Sequence, residues 1–180
     1  MENYAAAKAK LFENQPKFIV LNSDDEWFEY FNKFNASGEK MTYGVSPEAE
    51  ARITHIKLYK KGTEASLLID HRTHLELATN LPGEFNVLNM SAAVSLSYLL
   101  GIKLEEGVAN LETIPGRFER VDNKRGIDII VDYAHTPDAL EKLLKTTRRI
   151  TKGRLFLVFG ACGDRDKTKR PIMGELAANL

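Results

Sequence analysis

Residues 116–137 constrain the fold of this chain more than any other stretch. They contain two predicted strands, 118–122 and the more apolar 127–132, which are separated by a polar turn. Thr136-Pro137 then follows, which is typical of a helix N-cap and a first helical residue. Such a strand-to-helix crossover is where α/β proteins collect groups that bind phosphate, because a helix N-terminus carries partial positive charge.

Composition limits the classes of protein to consider. The 180 residues can bury one large or two small cores, and 43% hydrophobic with 28% charged residues is ordinary for a soluble globular protein. Because 25 basic and 25 acidic residues cancel, no overall field attracts nucleic acid or anionic membrane. No apolar run reaches the ~18 residues of a membrane helix. The single cysteine, Cys162, excludes an internal disulfide and favours a cytoplasmic protein.

The order of predicted elements divides the chain near residue 114. Before it we predict helices and strands in this order: helix 3–13, strand 17–22, a helix opened by Ser23 and Glu26 as a capping box, strands 41–45, 52–59, 65–70 and 73–79, and helices 86–100 and 104–111. After it we predict two strands, a helix from Thr136, strand 155–160, a loop and a final helix from Pro171.

This pattern predicts an α/β fold with two domains, residues 1–113 and 114–180, the second with a mainly parallel sheet. Helix-like segments stand at both ends of the chain. We therefore expect a piece of a longer protein.

Three side chains surround the crossover. Asp132 ends an apolar strand, at the edge where α/β ligands bind, and His135 precedes the next helix. Arg117 could reach a phosphate with its planar guanidinium. An alternative stays open at this point: Asp132 and His135 only cap the following helix, and Arg117 pairs with Glu119.

The loop 160–170 combines small residues with Arg165, Lys167, Lys169 and Arg170. It lacks the third glycine of a dinucleotide fingerprint and the Gly-Lys-Ser/Thr of a P-loop. A solvated charged turn is the alternative to an anion-binding loop.

Two asparagines, Asn86 and Asn89, share one face at the start of a predicted helix. Capping explains Asn86, whereas the amide of Asn89 would suit the edge of an adenine ring. Lys8, among alanines, is on composition a surface lysine, and His71 and His74 are most simply polar surface.

Taken together, these segments resemble the Mur ligase family of ATP-dependent amide ligases, over nearly the whole chain. The matching segments are Glu2-Asn3-Tyr4-Ala5-Ala6-Ala7-Lys8, Leu21-Asn22-Ser23-Asp24-Asp25, Gly83-Glu84-Phe85-Asn86-Val87-Leu88-Asn89, Pro115-Gly116-Arg117-Phe118-Glu119, Asp132-Tyr133-Ala134-His135-Thr136-Pro137 and Gly163-Asp164-Arg165-Asp166. The last two are specific for the branch that adds the third residue of the peptidoglycan stem peptide. The resemblance implies the second half of a central ATPase domain followed by the start of a Rossmann-like C-terminal domain.

The resemblance also implies roles for individual residues. Lys8 matches a lysine that is carbamylated to bind Mg2+, a hard cation that prefers oxygen ligands, and its helix should then be partly buried in the assembled enzyme. Asn89, with Asn86 beside it, matches an adenine contact. Four further residues match parts of the site for ATP and the incoming amino acid. Arg117 matches an arginine that binds ATP phosphates, Asp132 and His135 match groups near the nucleotide, and Arg165 matches an arginine that holds the carboxylate of the amino acid.

The implied reaction belongs to peptidoglycan synthesis, and therefore to cell-wall biogenesis, cell shape and cell division. ATP phosphorylates UDP-N-acetylmuramoyl-L-alanyl-D-glutamate, and a diamino acid attacks the acyl phosphate. We expect the family's P-loop to lie before residue 1 and the motif that selects the diamino acid after residue 180, so that the 180 residues alone are inactive. Folylpolyglutamate synthetase, cyanophycin synthetase and a non-catalytic nucleotide-binding module are the alternatives.

Overall fold

The computed structural model describes residues 2–102, 114–161 and 166–180 and confirms an α/β architecture. The first part contains α1 (Glu2–Glu13), β1 (Phe18–Asn22), α2 (Phe28–Phe31), β2 (Glu39–Gly44), β3 (Ala51–Tyr59), β4 (Gly62–Ile69), β5 (Thr73–Thr79) and α3 (Glu84–Leu99). The second contains β6 (Glu119–Arg120), β7 (Ile130–Val131), α4 (Pro137–Ile150) and α5 (Lys169–Asn179). None of these helices is both long and apolar enough to span a membrane.

A mixed five-stranded sheet organises the first part, in the order β1-β2-β3-β4-β5. Strands β1, β2 and β3 are parallel, whereas β3, β4 and β5 form an antiparallel meander. Two turns join these last strands. In the second of them Asp70 and His71 both have positive φ angles, 50° and 56°.

The core lies between this sheet and α3. Val87, Met90 and Val94 of α3 recur at helical spacing and are buried against alternate residues of the strands, which include Leu67 and Ile69. This alternation follows from the period of two in a strand, which sends every second side chain of β4 to the same face. Each buried aliphatic side chain of this kind contributes about 1.5–3 kcal/mol to folding.

Helix α3 is followed by a glycine at the C′ position. Gly101 adopts a φ of 67°. Its N–H donates to the Tyr98 carbonyl (3.0 Å), and the N–H of Ile102 donates to the Ser97 carbonyl (3.0 Å). These two bonds form a Schellman motif, in which glycine is favoured because the left-handed conformation strains residues with a Cβ.

The predicted capping box at Ser23 and Glu26 is wrong. The helix begins only at Phe28, with no side-chain cap. Ser23 Oγ donates instead to the Tyr43 carbonyl (3.1 Å), and the carboxylate of Asp24 accepts from the N–H groups of Val45 (2.6 Å) and Ser46 (3.0 Å). The polar residues after β1 therefore tie this strand to the end of β2.

The second part departs from the predicted parallel sheet. Among the described residues its strands β6 and β7 form an antiparallel pair, and 155–160 is not a strand. Leu155 and Leu157 pack against the buried residues of α4 and α5, whereas Phe156 and Val158 are 75% and 98% exposed. Packed and exposed side chains alternate along this segment as they do in a strand. The segment nevertheless forms no ladder with another described strand.

Helix α4 begins as predicted. Thr136 is the N-cap, its Oγ1 accepts from the Ala139 N–H (3.3 Å), and Pro137 is the first helical residue. The helix predicted at 104–111, Cys162 and Arg165 lie outside the described residues, and the boundary at residue 114 stays a prediction.

Candidate functional site

The segments 114–119 and 130–135 lie side by side and form the centre of the candidate site. Glu119 pairs with Val131 in the β6–β7 ladder. Beyond the end of that ladder, the N–H of Tyr133 donates to the carbonyl of Gly116 (2.8 Å). These bonds bring Arg117 close to Asp132 and its neighbours, as the sequence predicted.

Asp132 braces the two segments against each other. Its Oδ2 accepts from the N–H of Phe118 (2.8 Å) and its Oδ1 from the N–H of Ala134 (2.8 Å). Asp132 does not cap α4, because Thr136 has that role. A direct contact between Asp132 and a nucleotide stays a prediction.

Arg117 lies over an aromatic ring. Its guanidinium carbon is 5.8 Å from the centre of the Tyr133 ring, and its side chain is exposed. The predicted alternative pairing with Glu119 is not found, since Glu119 Oε2 accepts instead from the Gly116 N–H (2.8 Å). The guanidinium is therefore held at the surface, where it can meet an anionic ligand.

His135 contacts the same ring. The two rings are 4.9 Å apart in an edge-to-face arrangement. Nδ1 of His135 is 2.9 Å from the Tyr133 carbonyl. A carbonyl only accepts hydrogen bonds, so Nδ1 is the ring nitrogen that donates in this contact.

Lys169 joins the site from α5. Its Nζ donates to the carbonyl of His135 (3.0 Å). Three basic side chains, those of Arg117, His135 and Lys169, therefore surround one exposed junction, which suits a phosphate. Lys169 belongs to the charged loop that the sequence singled out, whereas Arg165 of that loop lies outside the described residues.

The two asparagines at the start of α3 have different environments. Asn86 is 4% exposed, and its Nδ2 donates to the Pro82 carbonyl (2.9 Å). The predicted N-cap role of Asn86 is wrong, because the N-cap is Gly83. Asn89 is exposed, so its amide is accessible to a ligand. The amide of Asn86, in contrast, is hydrogen-bonded to the backbone.

Lys8 is exposed on α1, whereas Ala5 and Ala9 of the same helix are buried. Its Nζ is 5.5 Å from the ring centre of Tyr4. An exposed primary amine can react with CO2, and as a carbamate it would supply an oxygen ligand. Among the described residues no group of three or more His, Cys, Asp or Glu is arranged to hold a metal ion, so Lys8 would be one ligand of an otherwise undefined set.

Charged contacts join the first and second parts of the chain at two further places. Asp128 accepts from Lys60 (2.8 Å) and Arg120 (3.2 Å), and Arg120 also donates to the Lys60 carbonyl. The hydrogen bond from Lys60 is the main cause that lowers the pKa of Asp128 below its usual value. Elsewhere Arg149 contacts Glu84 in the first turn of α3 (2.5 Å).

Sequence reasoning missed Tyr133, whose ring contacts both Arg117 and His135. A signal was present, because residues two apart in an extended segment point to the same side. Tyr133 and His135 have this spacing, and the segment from Asp132 to the helix cap is extended enough for their rings to meet.

Comparison with known families places both parts of the chain. A family model described as the Mur ligase middle domain matches residues 1–97, and one described as the Mur ligase glutamate ligase domain matches residues 116–180. The chain belongs to the Mur ligase family.

Individual relatives agree with this membership. The UDP-N-acetylmuramoyl-L-alanyl-D-glutamate–2,6-diaminopimelate ligase 1 of Clostridium acetobutylicum is 43% identical over 185 residues, which cover 99% of this chain and 38% of the relative. The corresponding ligase of Bacillus licheniformis is 40% identical over 191 residues, covering 100% of this chain and 39% of the relative. The chain thus spans less than half the length of these relatives.

Solved structures show the same fold. A UDP-N-acetylmuramoyl-L-alanyl-D-glutamate–2,6-diaminopimelate ligase superposes with a TM-score of 0.69 at 34% identity, covering 98% of this chain and 38% of the other. The MurF ligase of Thermotoga maritima, solved in complex with ADP, superposes with a TM-score of 0.67 at 19% identity over 92% of this chain and 39% of the other. The second likeness concerns the fold alone.

Proposed function

We propose that this chain is part of an ATP-dependent ligase of peptidoglycan precursor synthesis. The ligase adds 2,6-diaminopimelate to UDP-N-acetylmuramoyl-L-alanyl-D-glutamate in the cytoplasm. The identity of about 40% with two ligases named for this substrate pair supports the proposed substrates. The structural observation that carries the ATP-dependent chemistry is the grouping of Arg117, His135 and Lys169 at one exposed junction.

The proposed reaction has two chemical steps. The γ-phosphoryl group of ATP moves to the D-glutamyl carboxylate, which gives an acyl phosphate and ADP. The amino group of diaminopimelate then attacks the acyl carbon, and an amide bond forms as phosphate leaves and the amine loses a proton. Mg2+ would neutralise phosphate charge, with the carbamate of Lys8 as one oxygen ligand.

The residues of this chain serve binding and orientation in this proposal. Arg117 binds phosphate oxygens through its planar fork of N–H donors. Asp132 holds the turn that carries Arg117, while the amide of Asn89 faces the adenine edge. Arg165 is proposed to hold the carboxylate of the incoming diamino acid.

Phosphate release by the full-length protein tests this function. We expect release to require ATP, the UDP-linked dipeptide and diaminopimelate together, with lysine a poor replacement for diaminopimelate. Turnover with folate and glutamate instead of these substrates would show that the substrate assignment is wrong. Nucleotide binding without any turnover would favour a non-catalytic module.

The isolated 180 residues provide a second test. We expect them to show no ligase turnover under the same conditions, because they make up less than half the length of the related ligases. Phosphate release by the isolated chain that depends on the dipeptide would contradict this expectation.

A further inference from the structure

Tyr133 is an exposed aromatic residue that core packing does not explain. It is 67% exposed, yet its ring contacts two functional side chains. The guanidinium of Arg117 lies 5.8 Å from the ring centre, and the imidazole of His135 lies 4.9 Å from it. Arginine stacks favourably on aromatic faces, because its weakly hydrated planar cation meets the electron-rich face of the ring.

This contact differs from the other cation–aromatic contacts of the described residues. In each of those the two residues are at most four apart, so local chain geometry alone brings them together; the pairs are Lys8 with Tyr4, Lys17 with Phe18, Lys57 with Tyr59, and Arg154 with Phe156. Arg117 and Tyr133 are 16 residues apart, and the fold must bring them together.

The backbone beneath the ring is held firmly. The N–H of Tyr133 donates to the Gly116 carbonyl (2.8 Å), directly before Arg117. Asp132, the preceding residue, is bonded to the N–H groups on both sides of the junction. The backbone that carries the ring is therefore held in place, whereas the arginine has a long and flexible side chain.

We propose that Tyr133 is a positioning residue whose ring orders the Arg117 guanidinium for contact with a nucleotide phosphate. The proposal rests on the proposed function, in which Arg117 binds ATP. An ordered side chain loses less conformational entropy when the ligand binds, so the ring raises affinity without touching the ligand. The electron density of the ring, and not its hydroxyl, carries the effect.

Affinity of the full-length protein for adenylyl imidodiphosphate, a non-hydrolysable ATP analogue, tests the proposal by calorimetry. We expect Tyr133→Leu to bind roughly two- to five-fold more weakly, the range that an exposed cation–π contact provides. Tyr133→Phe should retain most of the affinity. Pentafluorophenylalanine at position 133, which keeps the shape of phenylalanine but reverses the charge distribution of the ring face, should bind as weakly as Tyr133→Leu or more weakly.

A double-mutant cycle tests whether Tyr133 acts on nucleotide affinity through Arg117. In an Arg117→Gln background, Tyr133→Leu should cause little further loss, because the cation is already absent. An unchanged loss in that background would overturn the proposal, as would equal losses in Tyr133→Phe and Tyr133→Leu or wild-type affinity in Tyr133→Leu. If circular dichroism shows that the leucine variant is unfolded, the proposal is tested by the affinities with pentafluorophenylalanine and with phenylalanine at position 133. Equal affinities of these two variants would then overturn it.

Failure of this proposal can be separated from failure of the proposed function. The affinity pattern concerns nucleotide binding, whereas phosphate release with the UDP-linked dipeptide and diaminopimelate concerns the reaction. The predicted affinities in a protein without ligase turnover would support the role of Tyr133 and contradict the ligase. Turnover with unchanged affinity in all three variants would contradict the role of Tyr133 alone. No binding of the analogue by the wild type would contradict both.

Discussion

The carboxylate of Asp132 accepts a hydrogen bond from the backbone N–H of Phe118 at 2.8 Å. Phe118 is 2% exposed and has a φ of 48°, a left-handed conformation that is strained for a residue with a large side chain. Such strain costs on the order of 1–3 kcal/mol and persists only where surrounding contacts hold it. The bond from Asp132 is one such contact, and it holds the turn that presents Arg117.

Replacement of Asp132 tests this bracing role. We expect Asp132→Asn to lower the free energy of unfolding by about 1–3 kcal/mol, because the amide has only one acceptor oxygen for two backbone donors. Urea denaturation measures the loss, and hydrogen exchange should show faster opening at the amide of Phe118. Asp122→Asn is the matched control, since Asp122 is an exposed carboxylate of the same hairpin. Equal midpoints for both variants would show that Asp132 does not brace the turn.

The asparagines of α3 should separate stability from binding. We expect Asn86→Ala to destabilise the protein by about 1–2 kcal/mol, because its buried side chain loses the bond to the Pro82 carbonyl. Asn89→Ala, at an exposed position, should leave the melting temperature unchanged but weaken ATP binding in the full-length protein. The adenine assignment fails if Asn89→Ala binds ATP as tightly as the wild type.

Gly44 lies where the ends of β1 and β2 meet. A Cβ at this position would stand 2.5 Å from Asp24 Oδ2, which accepts from the Val45 N–H, and 2.5 Å from Ser23 Oγ, which donates to the Tyr43 carbonyl. We therefore expect Gly44→Ala to cost about 1–3 kcal/mol of stability, measured by thermal unfolding. Gly153→Ala is the control, because a Cβ there meets nothing within 4 Å. A similar midpoint for the two variants would contradict the close approach at Gly44.

The contact of Asp128 with Lys60 and Arg120 should make the arrangement of the two parts sensitive to salt. We expect ~1 M salt, where the screening length is about 3 Å, to broaden the distance distribution between spin labels at Lys10→Cys and Lys152→Cys in a Cys162→Ser background. Asp128→Ala should broaden it already at low salt, and Asp122→Ala should not. Identical distributions in all conditions would mean that these charges do not hold the two parts.

The same contact has a defined pH dependence. The pKa of Asp128 is lowered from its usual 3.8, mainly by the hydrogen bond from Lys60. The contribution of the contact is therefore complete above that usual value and is lost as the pH falls through the lowered pKa. We expect the spin-label distribution to stay constant from neutral pH down to mildly acidic pH and to broaden only below it. Broadening of the distribution near neutral pH would mean that a titrating group other than Asp128 controls the distance.

Lys8 provides a chemical test of the carbamate. We expect Lys8→Ala in the full-length protein to lose ligase activity and short carboxylic acids to restore part of it, because they replace the missing oxygen ligand. Lys10→Ala, at an exposed position two residues further along α1, is the control and should remain active. Carbon-13 NMR with labelled bicarbonate should show a carbamate signal in the wild type that is absent in Lys8→Ala. Full activity of Lys8→Ala would show that Lys8 is not a metal ligand.

Local features of the fold were predictable from the sequence. The meander β3–β5, the cap of α4 at Thr136 and the end of α3 at Gly101 all depend on residues a few positions apart. The proximity of Arg117 to the Asp132 region was also predictable in outline, because both flank one crossover and match two motifs of the same family. Periodicity and capping chemistry are properties of short segments, and tertiary packing left them unchanged in these three elements.

Only the tertiary structure decided where individual polar side chains find their partners. Ser23 has the spacing of a helix cap, yet its hydroxyl bonds to Tyr43, 20 residues away. Asp132 likewise bonds to Phe118, 14 residues earlier, and the ring of Tyr133 meets Arg117 from the neighbouring segment. A side chain forms a hydrogen bond with whichever complementary group the folded chain places within about 3 Å. When the two partners lie on different elements, their spacing along the sequence does not determine that distance.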